Sequence, residues 1–365
     1  MYFNQEYIFL LLGFREYMGR RVNGFILSLI FVSMTLSGCI SSNKESSNDQ
    51  VVEVPELDLP YFEKDGYRCF LHDEYERCWI TYVPEKVNGT ELVPLIIDLH
   101  GWSLSAFEQR EISGFDNIAE EYGAILLNPE GLALGGDPAT GGSEESWNAG
   151  WCCADAVANG VDDLGFLNQL IEVAIQIHPV DPDRVYVTGW SNGCAMSYYL
   201  SFYSSDKIAA MACMAMYLLA DIPDEYDPIP MMEIHGVLDD NVWYAWGSRP
   251  IIFNPGAWFD NSAYQTGAIE NMYEVAKHNN CAGSMPDLND VNGLYSIQGF
   301  TDCQNSAEVQ LVTLYAGTHN PYEKDYGSPE EFPRYVPGNG GLIPTTQIAW
   351  DFLSQYSKED IDLDD

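Results

Sequence analysis

The stretch "YVTGWSNGCAMSYYL", residues 186–200, restricts the fold more than any other part of the chain. β-Branched residues Val185, Val187 and Thr188 lead into Gly189, Trp190, Ser191, Asn192 and Gly193, after which Ala195, Met196, Tyr198 and Leu200 recur at helical spacing. The pattern predicts a strand, a sharp turn and a helix. Glycines on both sides of the serine let the strand and helix approach closely while the hydroxyl sits exposed on a strained turn. A serine oxygen attacks poorly until a base takes its proton. Ser191 is therefore a candidate nucleophile whose partners must lie elsewhere in the chain.

The flanking sequence predicts the frame for such a turn. A hairpin near 66–83 leads to the apolar run "LVPLIIDLH" at 92–100, a helix over Ala106–Tyr122 and a second apolar run at 124–131. After a Gly-rich loop, "VDDLGFLNQLIEVAIQIH" has apolar residues at helical spacing behind an Asp cap. Further strands are expected around 208–218, 230–236 and 309–317, with helices near 263–279 and 345–356. Short, nearly continuous apolar strands alternating with helices predict an α/β fold: a mostly parallel sheet covered by helices on both faces. Function in such sheets gathers at the carboxyl ends of the strands. No second linker and no internal repeat interrupts residues 61–365, which reads as a single domain.

The beginning of the chain has a different character. Arg20 and Arg21 precede the apolar run Phe25 to Leu36, which ends in Leu-Ser-Gly-Cys at Cys39. Residues 1–38 read as a secretory leader, with Met18 an alternative start, and the run is too short to span a membrane comfortably. Leu-Ser-Gly-Cys resembles the lipobox of bacterial-type lipoproteins, which makes Cys39 the expected lipidation site and the only expected link to a membrane. An ordinary leader with an incidental cysteine is the competing reading. Residues 39–60 are polar and acidic and read as a tether. The predicted location is extracellular or at the cell surface. The formal net charge of -39 repels nucleic acid and anionic lipid, so neither is an expected partner.

Export implies disulfides, and eight cysteines follow Cys39. Cys69 and Cys78 flank an apparent hairpin and are expected to pair. Cys281 and Cys303 bracket a segment without obvious secondary structure and form the second expected bridge. Cys194, three residues from Ser191, could join Cys152 or Cys153, and the pairing of Cys152, Cys153, Cys194 and Cys213 stays open. No paired Cys-x-x-Cys motif points to zinc, and neither a metal nor an organic cofactor is expected.

Chain order then tests the nucleophile. In α/β-hydrolases the nucleophile is followed by an acid and then a histidine, each on a loop after a strand. His319 lies in "YAGTHNP" directly after an apolar strand and is the expected general base, whereas His278 falls in a helical pattern. Between them "EIHGVLDDNVWY" offers Asp239 and Asp240 as the acid, and spacing alone does not choose. The backbone N–H of Asn192 and that of Trp102, after "LIIDLHG", are the expected oxyanion donors. His100 reads as a structural loop anchor.

The segments "PLIIDLHG", "SWNAGWCCADAVANGVDDLGF", "GWSNG", "HGVLDDNV" and "AGTH" resemble the extracellular polyhydroxybutyrate depolymerase and feruloyl esterase group of α/β-hydrolases over most of residues 66–356. The resemblance implies a serine esterase working through an acyl-enzyme. Laying the family's H-G-T-x-D-x-x-V-P on His235 selects Asp239 as the acid, and its G-H-x-W-P marks His319. Val237 stands where Thr is usual, Trp243 where Pro is usual, and the Trp expected after the histidine is absent. Trp102, Trp190, Trp243 and Trp246 are candidate substrate-binding side chains, and the long segment to Trp258 could form a lid or an aromatic platform. The expected substrate is an ester, possibly polymeric: a polyhydroxyalkanoate-type polyester or an acylated or feruloylated polysaccharide. A peptidase on the same triad and an inactive polysaccharide-binding scaffold are the alternatives. "DLNDVNG" at 287–293 is not a calcium loop, because its glycine falls one place late.

Overall fold

The same apolar runs that made the strands legible are buried on both faces. In the computed structural model, which describes residues 60–134, 145–246, 266–328 and 335–361, Leu95, Ile97 and Leu99 point to one face of the sheet and Ile96 to the other, all 0% exposed. Successive side chains of a strand alternate between faces, so a strand covered twice must be apolar throughout. The leader, Cys39, residues 40–59 and Trp258 lie outside the described residues.

The strands are β1 (Phe62–Lys64), β2 (Tyr67–His72), β3 (Tyr75–Tyr82), β4 (Val93–Leu99), β5 (Ile125–Pro129), β6 (Val180–Gly189), β7 (Ala210–Met214), β8 (Met231–Gly236), β9 (Leu288–Val291), β10 (Tyr295–Phe300) and β11 (Val309–Leu314). The helices are α1 (Ala106–Ser113), α2 (Phe115–Tyr122), α3 (Ala154–Ala158), α4 (Asp163–Ile177), α5 (Asn192–Tyr203), α6 (Ala268–His278), α7 (Thr345–Leu353) and α8 (Lys358–Ile361). Among the described residues the sheet runs β1-β2-β3-β5-β4-β6-β7-β8-β11-β10-β9. The six strands from β5 to β11 in that order are parallel, and antiparallel ladders close both edges. This is the α/β-hydrolase arrangement. Residues of α4, α5 and α6 share a core with Leu95, Ile97, Val185 and Val187. Those of α1, α2 and α7 share the other core with Ile96, Tyr186 and Ile234. No helix among the described residues is long and apolar enough to cross a membrane.

Two expectations are corrected. The helix over Ala106–Tyr122 is broken at Gly114, whose φ of 72° lies in the left-handed region and ends α1. Ser105 and Glu108 form a capping box at its start. The segment between Cys281 and Cys303 holds the β9–β10 hairpin, with "DLNDVNG" forming β9 and its turn, where Asn292 Oδ1 accepts the N–H groups of Leu294 and Tyr295.

Cys69 pairs with Cys78 across the β2–β3 ladder, and Cys281 pairs with Cys303, as expected. Cys194 is joined to Cys213, fastening α5 to β7, and Cys152 is bonded to its neighbour Cys153. The suggested link from Cys194 to Cys152 or Cys153 is therefore replaced by a shorter span across the sheet face.

Candidate active site

Ser191 sits between β6 and α5 with φ 55° and ψ -120°, a conformation that costs a non-glycine residue about 1–3 kcal/mol. Backbone hydrogen bonds hold it there: Ser191 N–H donates to the Met214 carbonyl at 2.8 Å, Trp190 N–H to Leu99 at 3.0 Å, and Gly193 N–H to Trp190 at 2.9 Å. The flanking glycines are required by contact. A Cβ on Gly189 would lie 2.7 Å from the Gly193 carbonyl carbon, and one on Gly193 would strike the Leu99 carbonyl oxygen. The turn is packed against the end of β4 so tightly that only hydrogen fits.

The loops after β8 and β11 bring Asp239 and His319 to the same place. His319 Nδ1 lies 2.8 Å from Asp239 Oδ2 and its Nε2 lies 3.0 Å from Ser191 Oγ. Ser191 is 9% exposed, His319 8% and Asp239 1%, so the chain of bonds is nearly sealed from water. Asp239 Oδ1 accepts the N–H groups of Asn241 at 2.9 Å and Val242 at 2.7 Å, and His235 Nε2 stands 3.2 Å from Oδ2. Burial pushes the Asp239 carboxyl up, but the His319 charge and the hydrogen bonds from His235 and His319 outweigh it and hold the carboxyl well below its usual range. Asp240 is half-buried on the same turn. His278 ends α6, its Nε2 3.1 Å from Glu274 Oε1.

The expected oxyanion donors follow two strand ends, those of β4 and β6. Asn192 opens α5, and the first N–H groups of a helix have no acceptor within it. Gly101 runs beside the serine: a Cβ there would be 3.5 Å from Ser191 Cβ and 3.3 Å from the Trp190 carbonyl oxygen. Trp102 follows it, half-buried. The anchoring of this loop was only partly legible. His100, fully buried, donates from Nδ1 to the Gly101 carbonyl at 2.8 Å and accepts the Gly131 N–H at Nε2 at 2.8 Å. Burial lowers its pKa to about 4, keeping the ring neutral. The Asn192 side chain clasps the Trp147 backbone, accepting its N–H at 2.7 Å and donating to its carbonyl at 3.1 Å, while Trp147 Nε1 donates to the His100 carbonyl at 2.9 Å. The "SNG" and "SWN" triplets held both halves of that clasp, but their pairing across 45 residues has no local signal.

The tryptophans separate. Trp190 is 3% exposed and its Nε1 donates to the His319 carbonyl at 2.7 Å, so it buttresses the histidine loop. Trp243 is half-buried with its carbonyl accepting the Tyr217 hydroxyl, and Trp246 is 53% exposed. A cleft of about 600 Å³ runs along Glu108, Glu111, Lys324, Asp325 and Tyr326. The Tyr326 ring packs 6.0 Å from that of Trp190, which joins the cleft wall to the serine turn.

The fold is that of the α/β-hydrolases. No protein-family model matches the chain. It is similar to "Feruloyl esterase B" of Piromyces equi, 28% identical over 283 residues, covering 76% of this chain and 45% of that protein. It is similar also to "Feruloyl esterase D" of Neurospora crassa, 23% identical over 286 residues, covering 77% of this chain and 82% of that protein. The chain thus spans about half the length of the first of these relatives. Among solved structures, "Acetyl xylan esterase from Aspergillus awamori" superposes with a TM-score of 0.50 at 14% identity, over 76% of this chain and 94% of that one. The resemblance read from the sequence is supported at this level: the chain is similar to feruloyl esterases in sequence and shares the fold of an acetyl xylan esterase.

Proposed function

We propose that the chain is an exported serine esterase that cleaves acyl or feruloyl esters, with a polysaccharide as the alcohol component. One observation carries the reading: a serine oxygen, an imidazole and a buried carboxylate in line at 3.0 and 2.8 Å. Ser191 Oγ attacks the ester carbonyl as His319 Nε2 takes its proton, and Asp239 steadies the imidazolium through Nδ1–H. The N–H groups of Asn192 and Trp102 receive the negative charge on the carbonyl oxygen. Collapse expels the alcohol, which takes the proton from His319, and water then releases the acid by the same steps in reverse. The naming of the relatives as feruloyl and acetyl xylan esterases supports acylated glycans over a polyester, and the polar cleft beside Tyr326 suits a bulky hydroxylated leaving group. The four disulfides fit export, and Cys39 fits attachment to a surface by acyl chains.

A fluorophosphonate probe tests the mechanism. Labelling is expected at Ser191 and lost in Ser191→Ala; no labelling of the folded protein would leave a binding scaffold. A panel of p-nitrophenyl acetate, p-nitrophenyl butyrate, methyl ferulate, acetylated xylan, hydroxybutyrate oligomers and a peptide anilide is expected to show turnover of the feruloyl or acetyl esters. Preferential cleavage of the anilide or the hydroxybutyrate oligomers would replace the proposed substrate class.

A further inference from the structure

Behind Asp239 lies a second imidazole that the relay does not use. Glu233 and His235, two residues apart on β8, share one face of the strand and are 2% and 0% exposed. His235 Nδ1 is 2.8 Å from Glu233 Oε1, while Nε2 is 2.9 Å from the Val242 carbonyl oxygen and 3.2 Å from Asp239 Oδ2. Two carboxylates and a carbonyl face the two ring nitrogens, and all three only accept, so each nitrogen must carry hydrogen. A doubly protonated ring is a cation. The Tyr217 ring lies over it, 5.7 Å away and inclined by 11°, presenting the electron-rich face that a cation prefers. Glu233 is held in turn from two helices, with Oε2 accepting Asn271 Nδ2 of α6 at 2.9 Å and the Tyr198 hydroxyl of α5 at 3.3 Å.

The same carboxylate oxygen, Asp239 Oδ2, receives both His235 and His319. We infer that His235 is a positioning residue, fixed as an imidazolium between Glu233 and Asp239, which holds Asp239 Oδ2 in place for His319 Nδ1. The catalytic consequence rests on the esterase reading; the protonation state does not. Burial opposes the charge on His235, but hydrogen bonds and charges from Asp239 and Glu233 outweigh it and raise the pKa to about 10. The other titratable groups against these rings are the phenols of Tyr198, Tyr217 and Tyr244. Burial raises those of Tyr198 and Tyr244, so they stay neutral. The local charge balance is thus set by two carboxylates and two imidazoles.

Nuclear magnetic resonance on protein labelled with 15N at histidine reads this directly. His235, assigned by its loss in His235→Gln, is expected to show two protonated nitrogens from about pH 5 to 9. A bare ring nitrogen at neutral pH overturns the inference. In Glu233→Gln/His235→Gln, which removes both charges together, kcat for p-nitrophenyl acetate is expected to fall about tenfold while KM stays unchanged. An unchanged kcat in the folded double variant overturns the positioning role, and the wild-type spectrum decides alone if that variant does not fold. The spectrum can be recorded in a Ser191→Ala background, so a failed hydrolysis assay removes the esterase reading without touching the protonation state.

Discussion

Replacing Asp239 by asparagine changes one atom and is expected to cost about 10⁴ in kcat, ~5 kcal/mol of transition-state stabilisation. The geometry gives the reason. Asp239 Oδ1 is committed to the N–H groups of Asn241 and Val242, at 2.9 and 2.7 Å, so the asparagine oxygen must stay there to satisfy the turn. Its NH₂ then faces His319 Nδ1 at 2.8 Å, a donor against a donor. The imidazole relieves the clash by moving its hydrogen to Nε2, and that hydrogen points at Ser191 Oγ, 3.0 Å away. A ring in this tautomer cannot accept the serine proton. His235 loses a carboxylate but keeps Glu233, so stability is expected to fall by only about 1–3 kcal/mol. The assay is kcat and KM for p-nitrophenyl acetate, with circular dichroism and the thermal midpoint as controls. A folded variant that keeps more than about a tenth of the wild-type kcat refutes the tautomer argument and with it the assignment of Asp239 as the orienting acid.

Asn192→Ala is expected to loosen the site without disarming it. The Trp147 carbonyl keeps the Cys153 N–H, but the Trp147 N–H loses its acceptor, which costs about 1–3 kcal/mol and lowers Tm by about 5 °C. Because the backbone donor at residue 192 survives, kcat in Asn192→Ala should fall less than about tenfold, and a far larger loss would assign the side chain a role at the reacting atoms. Asp98 is fully buried against Gln109, Ser113 and Asn128, and burial raises its pKa to about 7. The native state therefore holds a proton that the unfolded chain releases near pH 4, and the Asp98 contribution to stability falls as pH rises from about 4 to 7. Asp98→Asn should remove that slope, so its denaturation midpoint relative to wild type should be more favourable at pH 8 than at pH 5. A constant difference across that range would refute it.

The relay was legible because it depends on chain order and on strand ends. Ser191, Asp239 and His319 each follow an apolar run, and the runs declared themselves by being buried on both faces. What stayed hidden depends on contacts between distant segments. Trp190 adjoins the nucleophile and reads as a candidate substrate-binding side chain, yet its indole is claimed by the His319 carbonyl, 129 residues away. Gly114 is tolerable within a helical pattern, so the break between α1 and α2 has no local mark beyond the glycine itself. The hairpin β9–β10 sits at an exposed edge, where "LNDV" needs no apolar face and so shows no alternation. Glu233 and His235 did leave a trace. Two ionisable residues, two positions apart on the same face of an otherwise apolar strand, must satisfy each other or a neighbour, and "MMEIHG" was read only for its strand.

The disulfides among the described residues are all short clips. The paired cysteines stand 9, 1, 19 and 22 residues apart, so each bridge secures a single neighbourhood of the chain. Cys194–Cys213 fastens the helix that follows Ser191 to the next strand, but no bridge among the described residues reaches the turn of Asp239 or the loop of His319. Alignment of the three groups is left to the lateral cohesion of β6, β8 and β11. Oxidation can therefore keep every fragment locally tied while heat or denaturant parts the fragments from one another, and loss of hydrolysis should track the parting of strands and not the rupture of sulfur bonds.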